Sequence, residues 1–175
     1  MHQVSPRPRR RVVLPAALLA VAAGLVFTGG GSAQTPGART VSLFETDTGS
    51  TFALVDNAPK SPVANPESRR FRFSMGDKLL FGNPVLDQRG GNRLGVIYGE
   101  GTVMRGRSFA NAVLLVTVTF AFSDGSQISG VGTFTPGKTA RVSITGGTGA
   151  YEGARGTIVS QEVQGGSQDT LTLLP

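Results

Sequence analysis

Two carboxylates, Glu45 and Asp47, stand two residues apart in Phe44-Glu45-Thr46-Asp47, at the end of the strand-like segment Thr40 to Phe44. Residues at i and i+2 of a strand share a face. If that face is enclosed, the two form an acid–base pair, because burial beside a like charge pushes at least one carboxyl towards neutrality. If the strand ends at an open rim, both are simply solvated. What else could do chemistry here is restricted. His2 is the only histidine and there is no cysteine. With His2 inside a leader segment, Ser-His-Asp and Cys-His hydrolases, histidine-ligated zinc and histidine acid–base catalysis all fall away. No cofactor or metal is expected, and no disulfide is available to staple the fold. Any reaction must use carboxylates, amides, hydroxyls, arginines and the shape of a cavity.

Two further patterns carry other chemistry in principle. Gly132-Thr133-Phe134-Thr135-Pro136-Gly137-Lys138-Thr139 matches the spacing of a phosphate-binding loop. Such a loop must open a helix, whereas Ala140 to Ile144 alternates like a strand, so a turn at Pro136-Gly137 is the better reading. Arg69, Arg70 and Arg72 interleave with Phe71 and Phe73. The alternation marks a strand with a solvated cationic face rather than a nucleic-acid surface.

The N-terminus reads as an export signal. Arg7, Arg9, Arg10 and Arg11 precede an apolar run from Val12 to Phe27, followed by the small-residue cleavage pattern Gly31-Ser32-Ala33. The run is interrupted by Pro15 and Gly24 and falls short of the roughly 20 residues a bilayer requires. The expectation is a signal peptide over 1–33, exported by the general or the twin-arginine route, a secreted protein over 34–175, and no membrane association after cleavage. Four of the 17 Lys and Arg residues lie in the leader, leaving 13 against 11 Asp and Glu and a net charge near +2. A nucleic-acid partner needs clustered cations, and none is expected.

The elements that must position these side chains are strands. Apolar segments of strand length recur from Thr40 to Leu174 with Gly, Pro, Asn and Asp between them, and no helical period occurs outside the leader. Asp56 to Ser68, with Pro59, Pro62 and Pro66, is a loop; Arg69 to Ser74, Asp77 to Phe81, Leu94 to Met104, Phe109 to Phe122, Gln127 to Phe134, Thr139 to Ile144, Gly156 to Glu162 and Thr170 to Leu174 are strands. The chain is all-β, a barrel or a sandwich. A two-residue turn at Asp124-Gly125 would pair Phe122 with Gln127 and Phe120 with Ser129. That register puts Thr117 and Thr119 on one face with Phe134, the face expected to line a cavity. With the opposite face of Phe109 to Phe122 also apolar, both sides need cover, which points to a homo-oligomer.

The run Ile144-Thr145-Gly146-Gly147-Thr148-Gly149-Ala150-Tyr151-Glu152-Gly153-Ala154-Arg155-Gly156 is too rich in glycine for a helix and marks a β corner. Its pattern resembles the most recognisable motif of the allene oxide cyclase and dirigent-protein superfamily. The resemblance implies one domain over 34–175, a single eight-stranded antiparallel β-barrel with a ligand cavity. It extends to Phe44-Glu45-Thr46-Asp47, where the cyclases carry Asn in place of Asp47, and to Asp77-Lys78-Leu79-Leu80-Phe81-Gly82-Asn83, whose Asn83 matches a pocket asparagine. Phe134 stands where the cyclases have a pocket tyrosine, and a Ser-Pro pair has no counterpart after Asp47. The implied site is Glu45 and Asn83 as catalytic residues with Asp47 and Phe134 against the substrate. The implied activity is that of an isomerase steering cyclisation or coupling of an apolar small molecule by cavity shape. A non-catalytic barrel that binds a lipid or other small molecule, or serves as a structural extracellular protein, is the alternative.

Overall fold

The computed structural model describes residues 37–66 and 68–175; the expected signal peptide lies outside them. Nine strands follow in chain order: β1 (Arg39–Thr46), β2 (Thr51–Val55), β3 (Lys78–Leu86), β4 (Arg93–Arg105), β5 (Val113–Phe122), β6 (Gln127–Phe134), β7 (Ala140–Thr148), β8 (Gly156–Val163) and β9 (Gly166–Leu173). Strands β3 to β9 form an antiparallel meander, and β1 pairs with β9 from Arg39↔Leu173 to Thr46↔Gly166. Phe44↔Leu86 and Glu45↔Val85 then join β1 to β3 and close an eight-stranded barrel. The expected all-β barrel is what forms, with β2 as an additional strand.

That strand has a simple origin. Both β1 and β2 run antiparallel to β3 along the same edge, β1 on its C-terminal half and β2 on its N-terminal half, Thr51↔Gly82 to Val55↔Lys78. They are one strand interrupted by Asp47–Ser50, which leaves the ladder and turns back through Ser50 N–H donating to Asp47 O at 3.2 Å. Pro84 of β3 faces the interruption. A proline has no N–H to give a ladder, so it is tolerated where the partner strand has left.

Inside, alternation sorts the side chains. Leu114, Val116, Val118 and Phe120 of β5 point inward, as do Leu79, Val85, Ile97, Val142, Ile144, Ile158 and Leu171 from the other strands. Leu43, Val85, Phe120, Ile128 and Leu171 are essentially without solvent exposure and plug the end of the barrel where β1 begins. The glycine-rich corner sits at this closed end. Gly149 and Gly153 take φ of 61° and 71° around a single 3-10 turn, Gly149–Tyr151, and Tyr151 packs on Phe122 with ring centroids 5.2 Å apart. At Gly156 (φ 143°) a Cβ would fall 1.9 Å from Thr172 O, so β8 can approach β9 there only without a side chain.

The hairpin register differs from the sequence expectation, with consequences for the site. The turn is the three-residue loop Ser123-Asp124-Gly125: Phe122 N–H donates to Ser126 O at 2.9 Å and Gly125 N–H to Phe122 O at 3.0 Å. Gly125 takes φ 86°, and the Asp124 carboxylate accepts both Ser126 N–H (2.9 Å) and Ser126 Oγ (2.6 Å). The added loop residue shifts pairing to Phe120↔Ile128, Val118↔Gly130 and Leu114↔Phe134. A one-residue slip exchanges the faces of a strand relative to its partner. Phe134 therefore joins Leu114 inside, while Thr119 faces outward with Ser129, their hydroxyls 3.0 Å apart.

One other expected strand is absent and one begins later than expected. Arg69 to Ser74 keeps its alternation, with Phe71 and Phe73 buried edge-to-face at 4.8 Å and Arg70 and Arg72 exposed, but forms no ladder. Phe109–Asn111 is a 3-10 turn before β5, not its first turn of strand.

Candidate ligand cavity

Between the plugged end and the opposite mouth the barrel encloses a cavity of about 1020 Å³, open at the mouth and walled by aliphatic and aromatic side chains. Inward glycines let the wall of this space pack closely. Gly99 of β4 lies opposite Phe81, and a Cβ there would stand 2.1 Å from the Phe81 ring. Gly101 and Gly132 likewise leave room that a methyl would take from Leu114 and from the β7 backbone.

Polar groups enter this apolar space from β1, β3, β8 and β9. Glu45 is 8% exposed and Asn83 Nδ2 donates to its Oε2 at 3.0 Å. The contact follows from the strand pairing. Glu45 is level with Val85, so the inward residue one step along the same face of β3 is Asn83. On the other side Glu45 is level with Ser167, and Asp169 lies two residues further along β9, between Leu43 and Ser160. Asp169 has no solvent exposure, and neither carboxyl oxygen has a hydrogen-bond partner among the described residues. Burial, followed by the negative charge of Glu45, pushes its carboxyl up to about 9 from an ordinary 3.8. Asp169 thus holds a proton at neutral pH beside a carboxylate, in surroundings of low polarity. A protonated carboxyl beside a second carboxyl is the kind of arrangement from which carboxyl pairs do proton-transfer chemistry.

Glu45, Asn83, Asp47 and Phe134, the residues drawn from the resemblance, all line this one cavity. Glu45 and Asn83 sit deep. Asp47 is exposed at the mouth, on the segment that interrupts β1 and β2. Phe134 is half-buried in the wall opposite Leu114. Thr117 and Thr119 are a correction: both face outward, on a shallow depression shared with Tyr98 and Glu100, because the three-residue loop sets the other register. The buried carboxyl beside Glu45 is not Asp47, which is exposed, but Asp169, which the sequence reading placed just outside its last strand. The signal was there, since Asp169, Leu171 and Leu173 alternate and put the carboxyl on the apolar face. The phosphate-loop spacing serves a tight turn, with Lys138 N–H donating to Thr135 O at 3.1 Å and β7 following directly.

A family model described as Dirigent-like protein matches residues 40–173. The chain belongs to the dirigent-like protein family. Among solved structures, a pyocyanin demethylase is similar to this dirigent-like protein at TM-score 0.59 and 19% identity, covering 78% of this chain and 100% of that one. A pterocarpan synthase dirigent protein matches at TM-score 0.52 and 19% identity, covering 85% and 96%. A second pterocarpan synthase dirigent protein matches at 0.53 and 20%, covering 78% and 91%. At such identities the likeness is one of fold. Among curated proteins nothing matches the sequence.

Proposed function

We propose that this dirigent-like barrel binds an apolar small molecule in its cavity and steers that molecule's cyclisation or coupling by shape, with Glu45 and Asn83 as the polar contacts at depth. The observation that carries the reading is the hydrogen-bonded Glu45–Asn83 pair inside an enclosed apolar space of about 1020 Å³. A volume of that order suits a ligand of drug size or larger. Fixed walls hold a flexible substrate in one conformer, which lowers the entropic part of the barrier. A carboxylate held in low dielectric stabilises positive charge developing on the substrate far better than it would in water. Asp47 and Phe134 contact the substrate at the mouth and wall. Solved barrels of the same form are named for a demethylase and for pterocarpan synthases, both reactions of small organic molecules, which supports a ligand of that size.

The setting we propose is extracellular, with residues 1–33 directing export. The outer face of β3 to β6 carries Leu80, Tyr98, Leu115 and Val131 exposed, which supports a homo-oligomer covering that face.

The experiment is native mass spectrometry of the protein purified from its own culture medium, followed by denaturation and identification of released small molecules. The expected result is a co-purifying apolar ligand that is lost on Glu45→Gln or Asn83→Ala. A barrel that is empty, and whose binding of an apolar panel is unchanged by filling the cavity with Val116→Trp, overturns the reading.

A further inference from the structure

The cavity carries a charge imbalance that its walls do not neutralise. Among the described residues its acidic lining is Glu45, Asp47, Glu162 and Asp169 against the one base Lys138. At the mouth, where Asp47, Glu162 and Lys138 are exposed, water screens the difference. At depth it does not. Glu45 and Asp169 are 8% and 0% exposed, and no cation pairs with either: among the described residues the salt bridge is Lys78–Glu100, at the barrel's outer wall. Asn83 gives Glu45 one neutral N–H, and the two oxygens of Asp169 receive none. Buried charges are ordinarily paired or bound to a metal. Among the described residues no group of three or more His, Cys, Asp or Glu is placed to hold a metal ion. A counter-ion is what the site lacks. The rings of Phe81, Phe109, Phe120 and Phe134 that line the same space offer faces that attract a cation.

We propose that the cavity takes an organic cation, an apolar framework bearing one positive centre such as a quaternary or protonated amine, seated against Glu45 and Asp169 with its hydrocarbon on the surrounding rings. The inference rests on the small-molecule reading above and names the ligand's charge class. Fatty acids and other carboxylate ligands are disfavoured, since a second negative group would join the Glu45 carboxylate, which among the described residues has no cation beside it. The groups facing Asp169 are Glu45 from β1 and the Ser160 hydroxyl from β8, with Lys138 and Glu162 towards the mouth. In the empty cavity Asp169 keeps its proton. As the cation enters, that proton leaves to solvent, so one positive charge replaces another. Affinity for the cation therefore rises with pH through the neutral range.

The test uses three naphthalenes of one shape: 1-(trimethylammoniomethyl)naphthalene, its carbon isostere 1-neopentylnaphthalene, and 1-naphthylacetate, titrated calorimetrically into the full-length protein. Expected are an affinity for the cation about tenfold or more above the isostere at neutral pH, and the weakest binding for the anion. The heat of cation binding should vary with the ionisation enthalpy of the buffer, the mark of a released proton. Glu45→Gln should erase the cation's advantage over the isostere, and Asp169→Asn should abolish proton release. If Glu45→Gln does not fold, the buffer dependence of the unmodified protein decides. Equal binding of cation and isostere overturns the cation proposal while the apolar-cavity reading stands; failure of all three to bind overturns both.

Discussion

Asp169→Asn should make this protein more stable, and more so the higher the pH. The folded-state value of the Asp169 carboxyl, about 9, lies above its ordinary 3.8. The folded chain therefore keeps a proton that the unfolded chain releases once pH passes about 4, and stability falls as pH rises between the two values, levelling off above the upper one. The slope is about 1.4 kcal/mol per pH unit for a single group. Between about pH 5 and about pH 8 the loss is on the order of 4 kcal/mol, a large share of the roughly 5 to 15 kcal/mol that holds an ordinary domain together. An amide of the same shape has no proton to lose. Urea unfolding of both proteins at the two pH values isolates the effect from every other carboxyl: the advantage of Asp169→Asn should grow by about 4 kcal/mol from the lower pH to the higher. An advantage that does not change with pH would refute the reasoning, because it would mean that Asp169 is ionised in the folded barrel. The sign matters for function as well. A residue that lowers stability this far is the kind retained for what it does in a site rather than for holding the fold.

Replacing Glu45 by Gln removes the like charge beside Asp169, and the Asp169 carboxyl should titrate lower than in the unmodified protein when followed by carbon-detected NMR. Gly99→Ala puts a methyl 2.1 Å from the Phe81 ring and should cost about 1 to 3 kcal/mol in thermal unfolding, much of it recovered in the double variant with Phe81→Leu. Ile128→Ala, in the wholly buried plug, should cost about 2 to 5 kcal/mol while leaving ligand affinity within about twofold. Thr119→Val, on the outer face, should leave ligand affinity unchanged by calorimetry; a clear loss would return that strand's other face to the cavity.

Much of the barrel was legible because strand patterning is local. The recurrence of β-rich segments between turn residues marks the meander from β3 to β9, and the glycine-rich corner marks its closed end. Arg69 to Ser74 shows the limit. Its alternation reports that Phe71 and Phe73 are buried, which is true, but burial against a barrel end needs no ladder. The lining of the cavity was legible where the chain resembles a known motif, at Glu45, Asn83 and Phe134. It was not legible at Thr117 and Thr119, where one additional loop residue, held by Asp124 on Ser126, decides which face looks inward. Asp169 was missed for a different reason. Nothing local marks a carboxyl as orphaned. Its isolation arises only when β9 is laid between β1 and β8 and the first and last strands meet.

The joint between β1 and β3 is the clasp of this hoop. Every other joint of the barrel runs along most of a strand, whereas here the ladder is Phe44↔Leu86 and Glu45↔Val85 before β1 leaves the edge. The residue that fastens the clasp by its backbone is also the one whose side chain holds Asn83 across it. Loosening the clasp would uncurl the barrel into an open sheet and expose the buried acids to water in the same movement, so the protonation of the interior and the integrity of the hoop are tied at one residue. Amide protons of Glu45 and Val85 should then exchange faster in alkaline solution than those of β5 and β6, as Asp169 ionises and pushes the two edges apart.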